Sequence, residues 1–212
     1  VITGRVADPS MSVGPAMHHY GWRDDEYEKI ANATVCGHIL ECGSQACGGI
    51  ATNWLDLPDL VHMAFPYCEV EADGSFVVTI PDGPAGAVIE EIVKEQLLYE
   101  IGDPKNYRSP DCTLSFLTVK IEQVGKNRVR VSGATGGRPP AAYKVNATYR
   151  DGYRASSQIT IFGHRAVEKA RRAGEVILER LKESGYTYAR SNIECLGAGA
   201  CAPGVTPAPE LM

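Results

Sequence analysis

The chain has no surplus of positive charge. Its 21 lysines and arginines are outnumbered by 26 aspartates and glutamates, leaving a net charge of −5. A nucleic-acid partner wants a basic face, and an anionic membrane attracts basic segments, so the balance argues against both. No apolar run approaches the ~18 residues of a membrane-spanning helix. No CxxC occurs: the seven cysteines are Cys36, Cys42, Cys47, Cys68, Cys112, Cys195 and Cys201, odd in number and irregular in spacing. A disulfide framework or zinc ribbon is more tightly patterned. The thiols therefore read as reduced and the setting as cytoplasmic, which makes the N-x-T sequons at Asn32 and Asn146 chance matches. There is no internal repeat and no heptad pattern.

What remains is an ordinary globular composition, 44% hydrophobic and 22% charged over 212 residues, enough to bury a core without staples. The start, VITGRVADPS, lacks a basic leader before an apolar stretch. Val1 and Ile2 read as part of an interior strand, which leads us to expect further chain upstream. A break at Asp8-Pro9-Ser10 opens a helix to about residue 20, with Asp8 or Ser10 as its cap. A second helix is expected over 25–46, where Ala31, Val35, Ile39, Cys42 and Ala46 fall on one arc. A hairpin turns at Asp73-Gly74. A helix at about 87–101 carries Ile89, Val93, Leu97 and Ile101 inward, and Glu90 can pair with Lys94. Strands are expected at 116–124, 127–133, 142–150, 155–162 and 187–196, and a charged amphipathic helix at 164–184, stopped by Gly185. The fold class is α/β plus α+β: residues 1–60 form the C-terminal portion of a layered α/β unit. Residues 61–200 form a mainly antiparallel sheet with two packed helices, and 201–212 a flexible tail.

Several segments carry candidate chemistry. GAGACA at 197–202 follows a predicted strand, but Pro203, Gly204, Pro207 and Pro209 forbid the helix that a dinucleotide site requires. GATGGRPP at 133–140 lacks the Gly-Lys-Ser/Thr of a phosphate loop and reads as turn chemistry. His18 and His19 point about 100° apart on a helix, so both cannot easily face one ion, and no metal site is expected. In CGHILECGSQACGG, Cys42 sits on the apolar stripe, where burial would raise a thiol's pKa; it reads as core. His38 and Glu41 lie one turn apart at the stripe's edge. An imidazole beside a carboxylate suits acid/base work and equally suits a structural hydrogen-bond pair; residue chemistry leaves both open. Arg5 and Asp8 follow the first strand, where ligands bind in open α/β folds, and Arg5 suits a carboxylate or phosphate. A surface cap with a salt bridge is the alternative.

Taken together, VITGRVADPSMSVGP, HHYGW, GHILECGSQACGG, VKEQLLYEIGDPKNY and YRDGY resemble the AtuA-like acyclic terpene utilisation family, in the family's order and across almost the whole chain. The resemblance implies a role in the catabolism of acyclic terpenes. It also implies a glycine-rich α/β segment upstream, whose absence would leave an apolar edge and favour association into homo-oligomers. The resemblance does not imply a reaction; from the residues themselves we expect acid/base chemistry on a small carboxylate or an acyl-CoA, with Arg5 anchoring the anion and His38 with Glu41 moving protons. Asp8, Lys94 and Tyr99 would be further substrate-binding candidates, and Glu95 a weaker one. The cofactor is left unspecified, and a non-catalytic binding subunit of a catabolic complex is the rival expectation.

Overall fold

The computed structural model describes residues 6–205. Val1, Ile2 and Arg5, with the strand and anion anchor expected there, lie outside the described residues, as does the end of the expected tail. The chain divides into two compact units, Val1–Asn146 and Ala147–Met212. Residues 1–60 and 61–146 thus share one unit.

The first unit is built around a helix buried on every side. α1 spans Ser10–Tyr20 and α2 spans Tyr27–Leu40. In α2 every residue from Ile30 to Ile39 is buried. A helix in that position needs small residues where neighbours press closest, and Ala31, Ala33, Cys36 and Gly37 supply them. α2 stops at Leu40, short of the expected residue 46. Gly43 takes φ +56, a left-handed value that ends the helix, and a 3-10 turn follows at Gly43–Cys47. Cys42 therefore leaves the stripe and is only half-buried, not core as its periodicity suggested. The expected side-chain cap of α1 is also corrected. Pro9 is its N-cap residue with no side-chain cap hydrogen bond, while Ser10 donates its hydroxyl to Asp111 Oδ2 at 3.1 Å.

Two antiparallel sheets flank α2, giving the α+β mixture expected. The first contains β1 (Tyr67–Val70), β2 (Phe76–Thr79), β5 (Lys120–Gly125) and β6 (Arg128–Ser132), in the order β1-β2-β6-β5. β2 is buried on both faces, and Phe76 and Val78 join Val129 and Val131 of β6 in the core. The hairpin closes as expected. Val70 pairs with Phe76, Gly74 takes φ +88, and Asp73 Oδ1 accepts from the Ser75 N–H and hydroxyl. The second sheet is β3 (Tyr107–Arg108), β4 (Thr113–Ser115) and β7 (Thr135–Gly137). β7 corrects the reading of GATGGRPP as turn alone: Thr135–Gly137 pairs with β4. Gly136 lets α2 approach so closely that a Cβ there would stand 2.0 Å from the Tyr27 carbonyl oxygen. Asn32 locks the same contact. Its Nδ2 donates to Glu28 O and its Oδ1 accepts from the Ala134 N–H.

α3 covers Glu90–Leu98, inside the expected range, with Ile92, Val93, Gln96 and Leu97 buried and the Glu90–Lys94 pair formed at 2.7 Å. α4 covers Ala166–Glu183 and ends before Gly185, at φ +86. No residue of α4 is buried. The strands expected at 142–150, 155–162 and 187–196 are corrected: none forms among the described residues. Alternation alone does not make a strand, which exists only through hydrogen bonds to a neighbour. The expected strand at 116–124 is shortened to β5, because Phe116–Val119 forms a turn.

Candidate functional site

The last turn of α2 and the last turn of α3 meet in one corner. His38 is buried, its side chain 2% exposed. Its Nε2 lies 3.2 Å from the carbonyl oxygen of Leu97, one of the four carbonyls that the end of α3 leaves without a helical partner. A carbonyl can only accept, so this contact assigns the proton to Nε2 and leaves a lone pair on Nδ1 of the neutral ring. Tyr107 and Phe116 hold the ring, each with its centroid 5.9 Å away.

Nδ1 lies 3.3 Å from Glu41 Oε1, at an angle too poor to count as a hydrogen bond, so Nδ1 has no proper partner. The Glu41 carboxyl is shielded, its side chain 15% exposed. Burial pushes its pKa up, and Asp8 and Glu100 push it further. Burial pushes His38 down, opposed by the Leu97 carbonyl and by Glu100. A neutral imidazole lone pair facing a carboxylate is repulsive. A proton on either group would relieve that repulsion, giving a carboxylic acid facing imidazole or an imidazolium facing carboxylate.

Other groups gather at the rim. The Cys42 thiol is pushed up by burial and by Glu41, and the Tyr99 phenol by Glu100. Tyr107 is pushed up by burial, with Glu41 and Asp8 adding. Asp8 reaches this corner because Gly37 of α2 has no Cβ: one built there would stand 2.3 Å from Pro9 O.

Asp8, His38, Glu41 and Tyr99 are therefore brought together, while Arg5 lies outside the described residues. Lys94 is not brought in. It is exposed and bound to Glu90, and at 100° per residue it lies about 130° around α3 from the centre of the face that buries Ile92, Val93, Gln96 and Leu97. Glu95 accepts from the Thr52 N–H at 2.9 Å. Sequence reasoning missed Gln96, Glu100 and Tyr107. Gln96 did leave a signal: a carboxamide beside Val93 and Leu97, on the face that should be apolar. Among the described residues no cluster of three or more His, Cys, Asp or Glu could hold a metal ion. Nor is any described helix long and apolar enough to cross a membrane.

An α+β chain with an imidazole–carboxyl pair between two helix ends is the class that fold and site define. The model of the acyclic terpene utilisation family protein AtuA matches residues 1–211. The chain belongs to that family. No curated protein and no solved structure matches it.

Proposed function

We propose that this protein performs acid/base chemistry on a small carboxylate or acyl thioester during the cytoplasmic breakdown of acyclic terpenes. The observation that carries the reading is the 3.3 Å approach of His38 Nδ1 to Glu41 Oε1, between groups whose pKa values are pulled toward each other. A carboxyl with a raised pKa is a stronger base than a free one and acts nearer neutral pH. Glu41, the less buried of the two, meets the substrate and removes a proton from the carbon next to the carbonyl. The C–H electron pair becomes the enolate, and the proton resides on the Glu41–His38 pair until it is returned. His38, enclosed by aromatic rings, is a positioning residue. Arg5 serves the anion, and Asp8 and Tyr99 line the approach. Hydrogen–deuterium exchange at the α-carbon of short acyl-CoA thioesters and their free acids, followed by NMR in D2O, tests this. Exchange should fall by ~10²–10⁴-fold in Glu41→Gln. An unchanged rate in that variant, or no exchange with any substrate, would sink the reading.

A specific observation favours a second reading, the non-catalytic binding subunit. In the second unit Tyr149, Tyr153 and Phe162 are all exposed, Tyr153 at 99%. Large apolar side chains left this exposed favour association, whether with a second copy or with another subunit. Sedimentation that is independent of concentration, together with exchange activity in the isolated chain, would dismiss it.

A further inference from the structure

Two thiols from different elements meet between α2 and the first sheet. Cys36 lies in α2 and is 1% exposed. Cys68 lies in β1 directly opposite Val78 of β2, and Val78 lies opposite Val129 of β6. Residues opposite one another in an antiparallel ladder share a face of the sheet. Val78 and Val129 are buried in the same core as Cys36, and Cys68 packs against that core. Each sulfur registers the other. The Cys68 thiol, with the Ser12 hydroxyl of α1, pulls the Cys36 thiol down, whereas burial and then Cys36 push Cys68 up. Losing one proton from the pair leaves a thiolate beside a thiol that can donate to it. Cys42, Cys47 and Cys112 have no second thiol acting on them.

We propose that Cys36 and Cys68 form a redox pair, reduced at rest and joined by a disulfide when the protein meets a peroxide. Cys68 is the half-buried member, on the edge strand of its sheet, and it meets the oxidant. Its thiolate attacks the peroxide O–O bond, which breaks. Hydroxide leaves and is protonated to water, and Cys68 becomes a sulfenic acid. The Cys36 sulfur then attacks the Cys68 sulfur. The S–S bond forms, and the sulfenic hydroxyl departs with the Cys36 proton as a second water. Two thiols lose two electrons, and one peroxide gains them. Cys36 needs no access of its own, because it reacts only with the sulfur beside it. The bond ties α2 to β1 and closes residues 37–67 into a loop that carries His38 and Glu41. Its formation is independent of whether those two residues catalyse.

The test treats the folded 212-residue chain with graded hydrogen peroxide, denatures it in iodoacetamide and cleaves it after glutamate. Peptide 29–41, whose one cysteine is Cys36, should be recovered linked to peptide 42–69, which holds Cys42, Cys47 and Cys68. Chymotrypsin, cutting after Tyr67, should then leave Cys36 joined to the piece that carries Cys68. This locates the bond in the unsubstituted chain, whatever the variants do to folding. Dithiothreitol should part the peptides. The linked protein should melt roughly 10 °C above the reduced one, because a loop of about 30 residues stays closed in the unfolded chain. Cys68→Ser should lose the linkage, and Cys42→Ser and Cys47→Ser should keep it. Oxidation of Cys201 with no linkage at Cys36 overturns the proposal. So does Cys36 joined to Cys42 or Cys47, a linkage that survives in Cys68→Ser, or a linked protein that melts below the reduced one.

Discussion

Gly37 and Pro9 are in backbone contact: a Cβ on Gly37 would stand 2.3 Å from the Pro9 oxygen and 2.5 Å from its Cα. This is what brings the segment before α1, with Asp8, against the last turns of α2. Gly37→Ala should therefore destabilise the protein. Helix propensity alone favours alanine by ~1 kcal/mol, but overpacking against fixed backbone costs about 1–3 kcal/mol, and the neighbour here is a proline that cannot rotate away. Urea unfolding should show a lower midpoint at unchanged m-value. A stabilised Gly37→Ala would mean that the contact is loose and that Asp8 is free to leave Glu41.

The His38–Glu41 pair makes a pH prediction with two signs. Burial first, then Asp8 and Glu100, raise Glu41 above its ordinary 4.5. The folded state thus binds this proton more tightly than the unfolded one, and its contribution is present below about pH 4.5 and lost as pH rises through the folded value. Burial lowers His38 below 6.5, so its contribution is present above that pH and lost as pH falls toward the folded value. Glu41→Gln should be close to neutral near pH 4 and increasingly stabilising as pH rises from there. Unfolding midpoints between pH 4 and 8 measure it. A pH-independent difference between the two proteins would show that Glu41 titrates normally.

Periodicity predicted α1, α3, α4 and the β1–β2 hairpin because in each the chain's own pattern and punctuation decide the outcome. Gly21 closes α1 at φ +65, and Gly185 follows α4 at φ +86. It misjudged the end of α2, where Gly43 overrides a stripe that continues to Ala46. It also missed β7, because glycines that serve a close approach look like glycines that serve a turn. The expected strands beyond residue 140 alternate correctly, yet pairing is a property of two segments and one segment cannot show it. At the site, His38 and Glu41 were legible from their spacing, whereas Tyr107, in β3, and Glu100 reach the corner only through tertiary packing.

The seven cysteines are all free, and their environments differ enough to rank them. Cys47 and Cys112 are buried, and burial pushes each thiol up to about 11. The single S–H of Cys47 also has the Ala64 and Ser44 carbonyls within reach as acceptors, at 3.2 and 3.3 Å. Since the thiolate is the reactive form, neither should react with Ellman's reagent at pH 8, while exposed Cys201 should react first. After denaturation without reductant all seven should titrate. A total below seven would reveal a disulfide, and early modification of Cys47 would contradict its burial.

The last prediction concerns the segment from Ala142 to Phe162. Its backbone has no ladder partner among the described residues, and every residue in it except the half-buried Ile161 is exposed. Proteolysis follows local opening, and opening is easiest where few backbone hydrogen bonds and few buried side chains must be broken. Brief trypsin treatment should therefore cut first after Lys144, Arg150 and Arg154. Arg128 and Arg130 should survive, because β6 pairs with both β2 and β5 and Val129 and Val131 beside them are buried. The large early product should end near the division between the two compact units, at Asn146 and Ala147. Mass spectrometry of the first fragments decides it. First cuts within β5 or β6 would mean that the sheet opens more easily than the extended segment. Complete resistance of 142–162 would mean that a second copy covers this stretch in solution, which dilution before digestion should then reverse.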